Sequence, residues 1–185
     1  MEIPNLNIKH GLCLSLGANI DSRYGTPIES LIKSKTKVEN IIINLLKINY
    51  SKEVLSDNLF IWSSLYQTKP FGTLENQPDY INCLLLVKGE QLPKASKKKA
   101  KTILKEFQNL EKEYGRDKFS ENKIWLPRPL DIDILWWDNL SINEKELILP
   151  HPRFISRNFV ISPLSEVLSK TQETKKLHVK NWIIN

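Results

Sequence analysis

Short apolar runs alternate along this chain with longer stretches in which apolar residues recur every three or four positions. Leu12–Leu16 is a compact apolar run closed by Gly17, which predicts a first strand with a turn at Gly17–Asn19. Thr26-Pro27-Ile28-Glu29 has the form of a helix start. Thr is the cap, Pro stands in the first turn, and Glu three residues after Thr completes a capping box. Ile28, Leu31, Ile32, Val38, Ile41, Ile42, Leu45 and Leu46 follow at helical spacing, with a lysine-rich polar face between them. Leu59–Tyr66 predicts a second strand, and the Pro- and Gly-bearing segment QTKPFGTLENQPD a loop. A third strand, Tyr80–Lys88, sets Tyr80, Asn82, Leu84 and Leu86 on one face and Ile81, Cys83, Leu85 and Val87 on the other. A second helix is predicted over Ser96–Tyr114, striped by Ile103, Leu104, Phe107, Leu110 and Tyr114 and stopped by Gly115. Arg116–Lys123 has no apolar period and reads as a mobile loop. A fourth strand carries the apolar run ILWW. Beyond it come a hairpin-like segment NLSINEKELILP, a short helix at Asn158–Leu168 that contains Pro163, and a small terminal strand at Leu177–Ile184.

The order strand, helix, strand, strand, helix, strand is the split βαβ pattern. It predicts an α+β fold: a ferredoxin-like βαββαβ sandwich with an antiparallel sheet, both helices on one face, and C-terminal additions. No internal repeat or linker divides the chain, so residues 1–185 are expected to form a single domain.

Charge changes this picture little. An excess of 27 basic over 21 acidic residues fits a polyanionic ligand without choosing between nucleotide and nucleic acid. The run Lys97, Lys98, Lys99, Lys101 reads as a solvated helix face. Cys13 and Cys83 lie inside apolar runs, as buried thiols of a reducing compartment do. There is no long apolar span and no apolar signal core at the N-terminus, so a cytoplasmic protein without a membrane segment is expected.

Chemistry concentrates at WLPRPLDID, Trp125–Asp133. If the fourth strand begins here, Asp131 and Asp133 share a face roughly 6.6 Å apart along the chain, while Leu130, Ile132 and Ile134 face a core. Two carboxylates at that spacing suit a hard divalent cation, or else are solvated groups at a strand end. Arg116, Arg128, His151, Arg153 and Arg157 stand at segment ends nearby in sequence. Each arginine alone reads as a surface ion pair; together with two carboxylates they fit a triphosphate clamp. The chain lacks a Walker loop, a dinucleotide fingerprint and zinc-spaced Cys or His pairs.

Several stretches carry a resemblance. LSLGANI (Leu14–Ile20), SSLYQTKPFG (Ser63–Gly72), QPDYIN (Gln77–Asn82), LEKEYGR (Leu110–Arg116), PRPLDIDIL (Pro127–Leu135), LPHPRFISRNF (Leu149–Phe159) and SPLSEV (Ser162–Val167) occur in the order found in the 6-hydroxymethyl-7,8-dihydropterin pyrophosphokinases of folate biosynthesis, which the chain resembles over most of its length. The resemblance implies transfer of a diphosphoryl group from ATP to the pterin hydroxymethyl group, with release of AMP. It implies a catalytic set of Arg116, Arg128, Asp131 and Asp133, with Asp131 and Asp133 holding two magnesium ions. It assigns the pterin to Thr68, Phe71, Tyr80, Asn82 and Phe159, and ATP to Gln108, Glu111, Arg116, Trp125, Arg128, Ile134, His151 and Arg157. Aromatic faces suit a flat heterocycle, and an amide suits its edge. The chain departs from the family's usual pattern at Lys69, Leu126 and Pro129, and its 116–125 loop is slightly longer.

By the same likeness, the expected partners are small molecules, with no nucleic acid and no membrane, and the chain is expected to be a monomer. A basic nucleic-acid-binding module is the rival reading. It requires aromatics on an open sheet face, where the third strand offers only Tyr80, and it leaves Asp131 and Asp133 without a purpose. A catalytically dead scaffold is a further reading, opposed by the intact Asp-x-Asp.

Overall fold

A computed structural model describes residues 11–47, 59–70, 77–89, 92–116 and 126–171. Phe71, Trp125, most of the Arg116–Lys123 loop and the expected strand at Leu177–Ile184 lie outside these residues.

Five long elements and two short strands build the predicted sandwich. β1 (Gly11–Ala18), α1 (Pro27–Leu46), β2 (Phe60–Trp62), β3 (Tyr66–Thr68), β4 (Tyr80–Lys88), α2 (Lys97–Glu113) and β5 (Asp131–Trp137) follow in order. β1 is central, antiparallel to β4 on one side and to β5 on the other. β2 and β3 both pair with β4 on its far side. The order β2–β4–β1–β5 is that of the ferredoxin-like sheet.

The expected second strand, Leu59–Tyr66, is split. Trp62 pairs with Leu85 and Tyr66 with Asn82, so three residues, Ser63–Leu65, face two, Cys83 and Leu84. This bulge is closed locally: Ser63 donates its N–H to the Leu84 carbonyl at 2.9 Å, and its hydroxyl accepts the Leu84 N–H at 2.9 Å. A polar side chain thus fills a gap in the ladder, which an apolar-run reading of LFIWSSLY overlooks.

α1 starts as its sequence predicts. Thr26 caps it, and the Glu29 carboxylate accepts the Thr26 N–H at 2.8 Å. Its buried stripe is Leu31, Ser34, Val38, Ile42 and Leu46, whereas Ile28 and Ile32 are exposed. Periodicity alone assigned both isoleucines to the apolar face. The helix instead turns Ser30 and Ser34 inward, and the Ser34 hydroxyl is satisfied by the Leu31 carbonyl at 2.8 Å.

α1 and α2 pack on one sheet face, over Leu12, Leu14, Leu16, Leu85, Val87, Ile132 and Ile134. The C-terminal additions are the hairpin β6 (Ile142–Glu144) and β7 (Leu147–Leu149), a 3-10 turn at Phe154–Ser156, and α3 (Asn158–Thr171), which includes Pro163. α3 crosses the opposite face, where Val160, Leu164 and Val167 pack on Cys13, Leu84, Leu86, Leu135 and Trp136. Cys13 and Cys83 are both buried free thiols. α3 covers only one end of its sheet face, and the other end remains open.

Candidate active site

The open end begins with strand alternation. Gly17 of β1 pairs with Asn82 on one side and Asp131 on the other, and Ser15 pairs with Asp133. Thr68 and Tyr80 are cross-strand partners at the rim. These residues share the face that α3 covers farther along, and they line an open pocket of ≈ 750 Å³, open solvent at its mouth included. Arg128, Arg157 and Phe159 close its sides. Gly17 keeps the floor low, since a Cβ there would come within 2.9 Å of Asn82 Oδ1.

One end of the pocket is aromatic and amide-bearing. Asn82 is buried, and its Nδ2 donates to Thr68 Oγ1 at 2.8 Å, which orients the amide in the pocket. The Tyr80 hydroxyl donates to the Leu126 carbonyl at 3.3 Å. Phe159 stands at the start of α3, with the Arg157 guanidinium over its ring. Lys69 also lines the pocket and pairs with Asp79 at 3.1 Å.

The other end is ionic. Asp131 receives Arg116 at 2.7 Å and Arg128 at 2.7 Å, one on each oxygen. Arg116 also holds Glu111 at 2.6 Å, and Glu111 accepts the Ile132 N–H at 2.7 Å. As a residue on a polar helix face, Glu111 would ordinarily be solvated. It is instead 5% exposed, and burial, reinforced by the Asp131 charge, pushes its pKa up to about 8 against the pull of Arg116. Asp133 is held less tightly, with Arg157 at 3.5 Å. The protein packed around it raises its pKa to about 6, the Asp131 carboxylate adds to the rise, and Arg157 opposes it.

A second bulge places His151. Cys13 pairs with Trp136 but Leu14 with Ile134, which leaves Leu135 as the extra residue. The freed Leu135 carbonyl accepts the His151 N–H at 2.7 Å. His151 Nδ1 accepts the Arg153 N–H at 3.2 Å, so a neutral ring carries its proton on Nε2. Burial first, then Arg157 and Arg153, lower its pKa to about 4, which keeps it a neutral donor near pH 7.

Eight of the residues proposed from sequence therefore line one pocket: Thr68, Tyr80, Asn82, Arg128, Asp131, Asp133, Arg157 and Phe159. Arg116 and Glu111 join it through Asp131. Ile134 has its side chain in the core. Its N–H and C=O share the strand edge toward which Ile132 donates to Glu111, and no strand pairs there among the described residues. Gln108 is exposed on α2 one turn before Glu111 and does not line the pocket. Sequence reasoning missed Ser15, Gly17, Asn19 and Gln77. Small and polar residues at alternate places in β1 were a readable signal for the first two, since period 2 sets them on one face.

A family model described as 7,8-dihydro-6-hydroxymethylpterin-pyrophosphokinase matches residues 13–169. A 2-amino-4-hydroxy-6-hydroxymethyldihydropteridine pyrophosphokinase of Haemophilus influenzae is 31% identical, over 84% of this chain and 80% of its own. The enzyme of that name from Aquifex aeolicus is 32% identical over 83% of this chain and 78% of its own. That of Porphyromonas gingivalis is 30% identical over 83% and 88%. The match runs from within β1 to within α3, including both bulges and both ends of the pocket, and the chain belongs to the 7,8-dihydro-6-hydroxymethylpterin-pyrophosphokinase family.

Proposed function

We propose that the chain transfers diphosphate from ATP to 6-hydroxymethyl-7,8-dihydropterin, giving the pterin diphosphate and AMP. The observation that carries this reading is a single pocket with an aromatic, amide-bearing end and a carboxylate–arginine end. The first end suits a flat heterocycle: Tyr80 and Phe159 offer faces, Asn82 and Thr68 offer edge donors and acceptors, and by the resemblance the backbone near Phe71, outside the described residues, would complete that edge. The second suits a polyphosphate. Arg116, Arg128 and Arg157 supply planar donors, and neutral His151 offers Nε2–H. The edge at Ile134, which no strand pairs among the described residues, offers backbone groups to a nucleobase, and the resemblance would add Trp125, Gln108 and Glu111 to the nucleotide side.

Asp131 and Asp133 fit magnesium. They are oxygen donors on one face, and each oxygen has two lone pairs; an arginine N–H takes one on each Asp131 oxygen, while Asp133 meets Arg157 at Oδ2 only, at 3.5 Å. Magnesium usually takes one or two carboxylates and completes its shell with phosphate oxygens and water. Two bound ions would neutralise phosphate charge and orient the attacking and leaving oxygens. In the transfer itself, the pterin hydroxyl oxygen bonds to the β-phosphorus, the bond from that phosphorus to the α–β bridging oxygen breaks, and the hydroxyl proton is lost. The chain's residues hold the two reactants in line and meet the developing charge with fixed donors.

α3 covers one end of the sheet face that a nucleic-acid module of this topology would leave open, and the end left open carries Asp131 and Asp133, which weighs against that rival. No helix among the described residues is long and apolar enough to cross a membrane. A cytoplasmic monomer acting on small molecules remains the reading. Incubation with ATP, magnesium and 6-hydroxymethyl-7,8-dihydropterin is expected to release AMP in step with pterin diphosphate, and AMP at background levels would refute the reaction.

A further inference from the structure

We infer that Asn19 is a positioning residue that locks the segment bearing Arg128 to the segment that opens β4, and so holds the two halves of the pocket in one register. Asn19 follows the end of β1 and is 2% exposed. Its Oδ1 accepts the Arg128 N–H at 2.7 Å, and its own N–H donates to the Arg128 carbonyl at 2.9 Å. Neither residue belongs to a helix or strand, so this reciprocal pair stands where a ladder would otherwise satisfy the backbone. The other side of the amide faces residues 77 and 78: Nδ2 lies 3.3 Å from the Pro78 carbonyl and 3.4 Å from Gln77 Oε1. One buried side chain thus ties three segments that are distant in sequence.

What it ties bears on the chemistry. Arg128 reaches Asp131 at 2.7 Å, and Gln77 lines the same pocket. Tyr80, two residues past Pro78, bonds the Leu126 carbonyl, so the same two segments are joined twice, once through Asn19 and once through the tyrosine. An amide is the side chain that performs this task. It accepts on one atom and donates on the other. Aspartate would keep the acceptor for Arg128 and turn a second acceptor against two acceptor oxygens. Alanine would lose both links and leave the Arg128 N–H without a partner.

The inference rests on the proposed reaction, and the test separates the two. Wild type, Asn19→Asp and Asn19→Ala are assayed for kcat and pterin KM, and amide exchange at Arg128 is followed by NMR. In the wild type the Arg128 amide is expected to exchange at least about tenfold more slowly than a free loop amide, as its bond to Asn19 requires. Asn19→Asp is expected to keep that protection and to raise pterin KM about tenfold, with kcat changed less. Asn19→Ala is expected to lose the protection and about 100-fold in kcat, the scale on which a small misplacement acts. An unprotected Arg128 amide in the wild type overturns the inference, even if both variants fail to fold. So does an Asn19→Asp protein with kcat and KM within about twofold of wild type. If the wild type itself releases no AMP, the reaction is refuted while the exchange rate still judges the clamp.

Discussion

The face of the sheet that carries α3 has two ends built from the same three strands, and they behave as opposites. At one end Cys13, Leu84, Leu86, Leu135 and Trp136 are sealed under Val160, Leu164 and Val167. At the other, Ser15, Gly17, Asn82, Asp131 and Asp133 occupy the next places along the same strands and face a cavity. Each large apolar side chain sealed at the first end stabilises the fold by about 1.5–3 kcal/mol. The second end gains little of this. It brings two carboxylates to one face and buries Glu111 beside them, which raises the pKa of Asp133 and Glu111. One end holds the fold, and the other holds charged groups in the wall of an open cavity.

Substitutions can break this division, and the largest effect is expected at the polar end. Asp133→Asn should lower turnover by about 10³-fold or more, the scale of losing an electrostatic contact to the reacting centre, with the circular dichroism spectrum unchanged. Near-normal AMP release would remove Asp133 from the catalytic set. Leu164→Ala is the counterpart at the sealed end. It should cost about 2–5 kcal/mol in denaturant unfolding while the pterin KM of the folded fraction stays near wild type. An equal loss in both variants of stability and of activity would dissolve the contrast between the ends.

Smaller effects sharpen it. Glu166 ties α3 to the bulge between β2 and β3, accepting the Ser64 N–H at 2.8 Å and the Tyr66 hydroxyl at 2.9 Å, and pairing with Lys170 at 2.6 Å. Burial works to raise its pKa, but Lys170, the Ser64 N–H and Tyr66 outweigh it and hold the carboxyl below its ordinary value. Glu166→Gln should destabilise by about 1–3 kcal/mol at neutral pH, and an unfolding midpoint equal to wild type would show that α3 docks by apolar contact alone.

The smallest effect is a pH dependence. In the magnesium-free protein, Asp133 has a folded pKa raised from 3.8 to about 6. An acid whose folded pKa is raised favours folding below its unfolded pKa and loses that contribution as pH rises through the folded value. Asp133→Asn should therefore melt at or above wild type near pH 8 in EDTA, with the difference closing toward pH 4. A variant that melts lower than wild type at pH 8 would show that its arginine partner outweighs the burial and the Asp131 charge that disfavour the ionised Asp133.

The order of elements in the chain was legible wherever the signal is local. Thr26 and Glu29 announced α1 through a box that needs only four residues, and Ser96 and Gly115 bounded α2 in the same way. Alternation placed Asp131 with Asp133, and Tyr80 with Asn82, on common faces before any partner strand was known. Extra residues were invisible. Ser63–Leu65 and Leu135 look like continuous strand, because a bulge is defined by the partner's count and not by the strand's own composition. Ile28 and Ile32 show the converse, since periodicity marks an apolar stripe but cannot say which edge of it the neighbouring layer reaches.

By itself, then, the sequence determined the order of elements, the βαββαβ pattern and the presence of two carboxylates on one strand face. These follow from side-chain direction and capping, which act over a few residues. Tertiary structure alone decided that α3 seals half a face and leaves the other half as a pocket, that Glu111 is withdrawn from water beside Arg116, and that Asn19 reaches both Arg128 and Pro78. Each of these depends on which segments, far apart in the chain, exclude water from one another, and desolvation is a property of the assembled layers.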